Sequence, residues 1–372
     1  MTGSIHLQSW LWMAWVIFTL LLGPAQRGFA AILFTDNFDG HSNWSPPQPE
    51  GDTLMCVPGG NCSTPVPVGY NDYRIAAMES CSIRDGNHNT LNINGNYPRG
   101  GTGKSLQFWS EPCYSSSGSW GSDGLLGVTF APQAEVYVRY WMKFPPNWIW
   151  DTTSGSSPMQ KFLHISHNDP SLNAELWDFH DGTQNKPRFV PQFAKYGGGT
   201  YRIQFDLPFS PLTAARDNSA SNNYDYYFGP SPFDWTSAGG PGDGQWHCYE
   251  YYVKLNSSGG TPNGFFRNWY DGHLIADETN IVWVPNGDNP ANWKWNHVWL
   301  GGNNSNQYVL QSTNEQWYAV DDFVIYTPMS PSDPACNGQC TADGRLPLNY
   351  VIGGGQPSDT TAPGAPTRVR IR

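Results

Sequence analysis

The sequence predicts an all-β protein in which many short strands form one large sandwich. Among its 372 residues are 40 Gly and 31 Pro, which interrupt helices, and 15% are aromatic, which favours pleated sheet. From Val128 onward, apolar runs of strand length alternate with Gly, Pro, Asn or Asp turns. The Cys-, Pro- and Gly-rich stretch before Gly124 has few such runs, so long loops are expected there.

The first 30 residues are predicted to be a signal peptide. The apolar run from Leu11 to Leu22 is short for a membrane span, and a small-x-small site follows at Gly28-Phe29-Ala30. This pattern predicts a secreted protein, extracellular or periplasmic, with no membrane association after cleavage. The segment before the apolar run has no Lys or Arg, so an uncleaved anchor stays an alternative.

The seven cysteines agree with export, because disulfides persist in oxidising compartments. Their short separations suggest the pairs Cys56–Cys62, Cys81–Cys113 and Cys336–Cys340. Cys248 is then left in a strand-like run, where a buried thiol is expected. No CxxC or HExxH motif is present, so the sequence gives no support for a zinc site.

The formal net charge of −11 argues against nucleic acid as a partner, because phosphate binding requires clustered cations. It leaves room for an anionic ligand, since charges are screened over about 8 Å at physiological salt and a local cationic groove can act in an acidic protein. We expect a monomer with one sandwich domain over residues 31–327. Residues 328–372 are rich in Pro, Gly and Ser and are predicted to be a linker or tail.

The stretch "VYVRYWMKF" is an informative predicted strand. One face of it is apolar, with Val136, Val138, Tyr140, Met142 and Phe144. The other face alternates aromatic and cationic side chains, at Tyr137, Arg139, Trp141 and Lys143. Aromatic planes pack against sugar rings and guanidinium groups grip carboxylates, so this face is a candidate glycan groove. A solvated outer face is the alternative interpretation.

The stretch "QKFLHISH", Gln160 to His167, is a second informative strand. Alternation places Gln160 and His164 on one face and Lys161 on the other. If the strand is regular, only one of Lys161 and His164 can line a groove. A packed structural histidine is the alternative for His164.

The order and spacing of several short motifs resemble a known family over residues 32–326. The motifs are "ILFTDNFDG", "QKFLHI", the hairpin "WHCYEYYVKLN" to "GFFRNWYDGHLI", "HVWLGGNNS" and "AVDDFVIY". Together they resemble the concanavalin A-like jelly-roll sandwiches, and among these the polysaccharide lyases that cut alginate or glucuronan. The resemblance implies a jelly-roll β-sandwich with long loops, a groove for an acidic polysaccharide, and cleavage by β-elimination that requires no cofactor.

The resemblance also implies three catalytic roles: a group that neutralises the uronate carboxylate, a base for the C5 proton, and an acid for the leaving oxygen. Lys161 falls where these alginate lyases carry a groove lysine. The candidates for catalysis are Lys161, His164, Arg139 and Tyr137. The candidates for substrate binding are Trp141, Lys143, Gln160, Trp177, Arg188, Gln192, Trp269 and Trp299.

Two other functions stay open. The strands "AELWDFHD" and "PRFVPQF" lack the Ser-x-Arg and Tyr-x-Tyr patterns of the alginate lyases, which favours a non-catalytic carbohydrate-binding or adhesion protein. A glycoside hydrolase ranks lower, because Glu175 and Asp181 lie three two-residue steps apart, far beyond the carboxylate spacing that retention requires.

The first and last predicted strands contain four aspartates, and Ca²⁺ is coordinated by carboxylate oxygens such as theirs. They are Asp36, Asp39, Asp321 and Asp322. A structural calcium ion is one interpretation, and turn-capping, hydrogen-bonded aspartates are the other.

Overall fold

The computed structural model shows two antiparallel sheets packed face to face as an all-β jelly-roll sandwich, as predicted. It describes residues 31–46, 54–56, 64–75, 91–110, 121–148, 159–168, 187–196, 200–206, 225–227, 238–284, 286–304 and 316–352. The predicted signal peptide, three cysteines (Cys62, Cys81 and Cys113) and Trp177 lie outside these residues. No helix among the described residues has the length and apolar character needed to cross a membrane.

The strands of the described ranges, in chain order, are β1 (Ile32–Asp36), β2 (Leu54–Cys56), β3 (Asp72–Ile75), β4 (Leu91–Asn94), β5 (Ser105–Ser110), β6 (Gly121–Gln133), β7 (Glu135–Lys143), β8 (Met159–Lys161), β9 (Leu163–Ser166), β10 (Arg188–Tyr196), β11 (Thr200–Asp206), β12 (Asp225–Tyr227), β13 (Trp246–Lys254), β14 (Gly264–Tyr270), β15 (His273–Ile281), β16 (Trp295–Asn304) and β17 (Gln316–Tyr326). Short 3₁₀ turns occur at Arg99–Gly101, Pro290–Asn292 and Pro334–Cys336.

Sheet I has the strand order β15-β14-β13-β7-β17-β5-β4, and β1 also pairs with β17. Sheet II has the order β12-β11-β10-β8-β16-β6-β3-β2, and β9 lies between β10 and β16. The first strand therefore pairs with the last. The predicted "DG" turn joins β14 to β15, with both Asp271 and Gly272 at positive φ, 48° and 79°. Strands β3, β4 and β5 lie in the stretch for which the sequence predicted long loops.

The core lies between the sheets and is unusually aromatic. The predicted apolar face of β7 is buried there, from Val136 to Phe144, against aromatic and aliphatic side chains of sheet II such as Phe162, Phe189 and Val298. Burying each such side chain contributes about 1.5–3 kcal/mol. This core fixes which face of each strand is turned outward, and therefore where polar side chains can gather.

Residues 327–352 are packed against the outward face of sheet I, although the sequence predicted a linker from residue 328. Met329 and Leu346 join Tyr137, Trp269 and Tyr326 in a second buried apolar cluster. Within this segment Cys336 and Cys340 form the predicted disulfide, with an S–S distance of 1.97 Å. The apolar side chains of this segment pack against aromatic side chains on the outward face of sheet I. Amino-acid composition alone does not indicate such a long-range contact.

Candidate functional site

A break between β8 and β9 decides which side chains of "QKFLHISH" face outward. Phe162 and Leu163 are consecutive, yet both are fully buried in the core. Lys161 is paired with Gln192 and Ser166 with Arg188, and these two partners lie on the same face of β10. Lys161 and His164 therefore share the outward face, because one extra residue interrupts the alternation. The expectation that only one of them faces outward holds for a regular strand, and this strand is irregular.

The glycine pair of "HVWLGG" accommodates this break. Gly301 has φ of 93° and donates its backbone N–H to the carbonyl of Phe162 at 3.0 Å. A Cβ on Gly302 would lie 2.6 Å from Cβ of Lys161. These glycines let β16 approach the interrupted strand closely, which a larger residue would prevent.

The outward face of sheet II carries a polar cluster, which we call the polar face. Its members come from four strands and the short strand β8: Asp72, Arg74, Lys161, His164, Ser166, Arg188, His297 and Trp299. Arg74 and Lys161 are partly exposed, whereas His164 and Arg188 are buried, with 4% and 6% of their surface accessible. A ligand that arrives from solvent meets the two partly exposed cations first.

His164 lies at the centre of the cations of the polar face. Burial lowers the pKa of its imidazole well below the ordinary value, and the nearby charges of Lys161, Arg188 and Arg74 lower it further. The imidazole is therefore uncharged at neutral pH, and an uncharged imidazole can accept a proton. The same cations make this a place where a carboxylate is favoured.

Asp72 joins three strands of the polar face. Its carboxylate accepts a hydrogen bond from the indole N–H of Trp299 and lies 2.9 Å from Nε2 of His297. The two partners are on β16, and the intervening strand β6 places Gly127 between them and Asp72. A Cβ at Gly127 would lie 2.1 Å from Oδ1 of Asp72 and 2.4 Å from the indole, so only glycine leaves room for this contact.

Four of the residues predicted from the sequence come together on the polar face: Lys161, His164, Arg188 and Trp299. Trp299 is paired with His164 and their rings meet edge to face, with centroids 6.0 Å apart. The backbone of Gln192 is paired with Lys161, and its side chain is not among those described.

Arg139 and Tyr137 lie on the other sheet, beneath residues 327–352. Arg139 forms a salt bridge of 2.8 Å with Glu250 and donates to the backbone carbonyls of Pro347 and Leu346. The hydroxyl of Tyr137 donates to the carbonyl of Asp343 at 2.8 Å. The groove predicted on this face of β7 is therefore not present, because the C-terminal segment covers it.

Four further candidates are also placed away from the polar face. Trp141 is stacked by the guanidinium of Arg99 at 3.7 Å, and the ring of Trp269 is stacked by Arg345 at 4.4 Å, both on sheet I. Lys143 is on the same strand as Trp141, and burial lowers the pKa of its ammonium. Gln160 is turned toward the core, where its amide donates to the carbonyls of Lys161 and Gly302.

The four aspartates predicted as calcium ligands are engaged by donors of the chain. Asp36 binds His41 and the backbone N–H of Phe38, and Asp39 accepts from the backbone N–H of Lys104. Asp321 and Asp322 bind the backbone and the guanidinium of Arg99, respectively. Among the described residues, no group of three or more His, Cys, Asp or Glu side chains could hold a metal ion. The turn-capping alternative describes these residues.

Sequence reasoning missed Asp72, Arg74 and His297. The strand "DYRI" lies in the stretch for which loops were expected, and four residues give a weak alternation signal. The sequence could have predicted His297 as a site residue, because it lies two residues before Trp299 in a predicted strand and therefore faces the same side.

No protein-family model matches the sequence, and no curated protein matches it. Several solved structures are similar to this structure. The marine alginate lyase of Aplysia kurodai is 13% identical with a TM-score of 0.44, over 64% of this chain and 87% of that one. The endo-β-1,4-glucuronan lyase of the fungus Trichoderma reesei is 12% identical with a TM-score of 0.41, over 70% and 96%. An endo-1,3-β-glucanase of Streptomyces sioyaensis is 14% identical with a TM-score of 0.42, over 82% and 98%.

The two lyases are of the kind that the sequence resembles, and the glucanase is a hydrolase. The three TM-scores are below 0.5, so the fold rests on the two sheets of this structure and the similarities carry no argument about activity. The activity of this chain is therefore inferred from its own residues.

Proposed function

We propose that this protein is a secreted, monomeric polysaccharide lyase that cleaves an acidic, uronate-containing chain by β-elimination at the polar face of sheet II. The observation that carries the proposal is the gathering of Lys161, Arg74 and Arg188 around the uncharged imidazole of His164. Cations beside a neutral base are what abstraction of a proton next to a carboxylate requires.

Arg188 and Arg74 take the role of the group that neutralises the uronate carboxylate. When a uronate carboxylate lies between guanidinium groups, its negative charge is balanced and the C5–H bond becomes more acidic. The enolate-like charge that develops in the transition state falls on the same carboxylate oxygens. The two arginines therefore stabilise the transition state more than the ground state.

His164 and Lys161 take the two proton-transfer roles. The neutral imidazole of His164 accepts the C5 proton, the electron pair of that C–H bond forms the C4–C5 double bond, and the C4–O4 bond breaks. The ammonium of Lys161 donates a proton to the departing O4, so the leaving chain ends in a hydroxyl group. No water and no redox partner enters, and the products are an unsaturated uronate and a shortened chain.

The test is ultraviolet absorbance of the purified protein with alginate, glucuronan, pectate, hyaluronan and heparin, each with and without calcium. Elimination creates a conjugated double bond that absorbs, whereas hydrolysis does not. Lys161→Met and His164→Gln are expected to lower kcat about 10²- to 10⁴-fold, the usual contribution of acid–base groups. Lys254→Met is the matched control, because Lys254 is a partly exposed lysine on sheet I, 3.2 Å from Glu135.

The outcomes separate the candidate functions. A rise in absorbance that Lys161→Met and His164→Gln abolish, while Lys254→Met preserves it, supports the proposal. A new reducing end without absorbance indicates a hydrolase. Retarded migration in a glycan-containing gel with neither product indicates a binding protein, and in that case the proposed catalysis is wrong.

A further inference from the structure

His297 is a titratable member of the polar face to which the proposed mechanism assigns no role. It is buried, with 1% of its surface accessible, and it faces outward between Thr129 and Ser166 on the neighbouring strands. Its ring contacts that of Trp299 edge to face, with centroids 4.8 Å apart. A buried imidazole in the middle of a candidate binding face needs partners for both of its nitrogens.

Only one of the two nitrogens has a partner among the described residues. Nε2 lies 2.9 Å from Oδ2 of Asp72, whereas Nδ1 is buried and has no hydrogen-bond partner within the described ranges. An unsatisfied buried polar atom costs about 1–3 kcal/mol, so a group from outside the described residues is expected at Nδ1.

Asp72 determines which kind of group fits. Oδ1 of Asp72 already accepts from the indole N–H of Trp299, which can only donate. A carboxylate accepts hydrogen bonds at both oxygens, so Nε2 of His297 is the donor to Oδ2, and a ring that carries one N–H carries it on Nε2. Nδ1 then presents a lone pair, and its complement is an O–H donor. Sugar hydroxyl groups are such donors.

We propose that Nδ1 of His297 accepts a hydrogen bond from a hydroxyl group of the bound uronate chain, with Asp72 as the positioning residue that fixes the tautomer. This inference rests on the proposed function, since it places the substrate on the same face. It adds a binding contact that recognises the sugar hydroxyls, whereas Arg74 and Arg188 recognise the carboxylate.

Two substitutions at His297 distinguish the contribution of Nδ1 to binding from that of Nε2. Asn places a polar atom near the position of Nδ1 and loses the contact with Asp72, whereas Gln keeps a polar atom near Nε2 and loses Nδ1. Binding of alginate and glucuronan oligosaccharides is measured by titration calorimetry, and KM and kcat by ultraviolet absorbance. His297→Gln is expected to raise Kd and KM about 3- to 10-fold with little change in kcat, the loss of one neutral hydrogen bond. His297→Asn is expected to recover most of that affinity.

Nitrogen-15 spectra of the imidazole rings give a readout that does not depend on activity. We expect His297 to carry its proton on Nε2, and Asp72→Asn to shift that proton or to populate both tautomers. A proton on Nδ1 of His297 in the unsubstituted protein would overturn the proposal.

The outcomes also distinguish this inference from the proposed function. If product forms and both His297 variants bind as tightly as the unsubstituted protein, the lyase stands and the hydroxyl contact is wrong. If no product forms but the oligosaccharides bind with the expected order of affinities, the contact stands and the lyase is wrong. If the unsubstituted protein neither binds nor cleaves the oligosaccharides, both are wrong. Thermal unfolding of each variant identifies any loss that arises from misfolding.

Discussion

The outward faces of the two sheets carry the same kinds of side chain and differ in what lies against them. On sheet I, Arg139 is paired with Glu250, its direct neighbour on β13, and is covered by residues 327–352. Burial alone would lower the pKa of Arg139, and the charge of Glu250 raises it above its ordinary value. On sheet II, burial lowers the pKa of the His164 imidazole, and the charges of Lys161, Arg188 and Arg74 lower it further. Arg139 on sheet I is thus paired with a carboxylate of the next strand, whereas the described residues of the polar face bring three cations near one imidazole.

The comparison teaches that a stripe of cations and aromatics does not by itself mark a binding face. The stripe at Tyr137, Arg139 and Trp141 has the residue types of a glycan groove, yet Glu250 and backbone carbonyls already bind its arginine. On sheet I, the carboxylate of Glu250 opposite Arg139 on the neighbouring strand gives this guanidinium a structural role.

Removal of the covering segment should have the largest effect. A chain that ends at Thr327 loses the burial of Met329 and Leu346, worth about 3–6 kcal/mol for these two side chains, and exposes Tyr137 and Trp269. We expect a much lower denaturation midpoint in urea. A chain that ends at Ile352 keeps the cluster and is the matched control. Equal midpoints for the two chains would show that the segment is not part of the folded domain.

Glu250→Gln should destabilise the protein by about 3–5 kcal/mol, because it leaves the buried guanidinium of Arg139 without its counter-charge. The exposed pair of Arg267 and Asp277 is the control, and Asp277→Asn should change stability by less than about 1 kcal/mol. Both are measured by urea denaturation at neutral pH. If Glu250→Gln costs no more than Asp277→Asn, sheet I does not depend on internal charge balance.

His247 should make stability depend on pH above neutrality. Burial lowers its pKa, but hydrogen bonds with Asp243 and Asp271 outweigh burial and raise the pKa from 6.5 to about 9. Because the pKa of His247 is higher in the folded state, the charged imidazole stabilises the folded protein fully when the pH is below the unfolded-state pKa. This contribution is lost as the pH rises through the folded-state pKa of about 9. The free energy of unfolding should fall by up to about 3 kcal/mol over that range. His247→Gln should remove this slope, and an unchanged slope would contradict the assignment.

Gly127→Ala should have the smallest effect of the four, about 1–3 kcal/mol, because the new methyl group overlaps Asp72 and the indole of Trp299. It should also disturb the position of His297, which the ring nitrogen spectra detect. Gly40→Ala is the control, since a Cβ there has no atom within 4 Å. If the two variants are equally stable and His297 is unperturbed, Asp72 does not hold β3 to β16 as described.

Much of the fold follows from local pattern. The alternation of β7 and the "DG" hairpin of β14 and β15 are visible in the sequence, because each depends on neighbouring residues or on period-two burial. Strand β3 is not visible in this way, because a four-residue strand between loops carries little periodic signal.

Half of the site was predictable for the same reason. Lys161, His164, Arg188 and Trp299 stand in recognisable strands, but their gathering on one face depends on the break at Phe162, which regular alternation does not contain. Arg139 and Tyr137 were assigned to a groove because nothing local indicates that a segment two hundred residues later covers them.

The break at Phe162 shifts the phase of the inside–outside alternation along the chain. Before the break, odd-numbered side chains such as Lys161 face outward. After it, even-numbered side chains such as His164 and Ser166 face outward, although both strands lie in the same sheet. Two side chains three positions apart can therefore serve one surface, a spacing that a search for every second residue rejects. An insertion or deletion between Lys161 and His164 would leave each strand's own composition intact and yet send one of the two groups into the core.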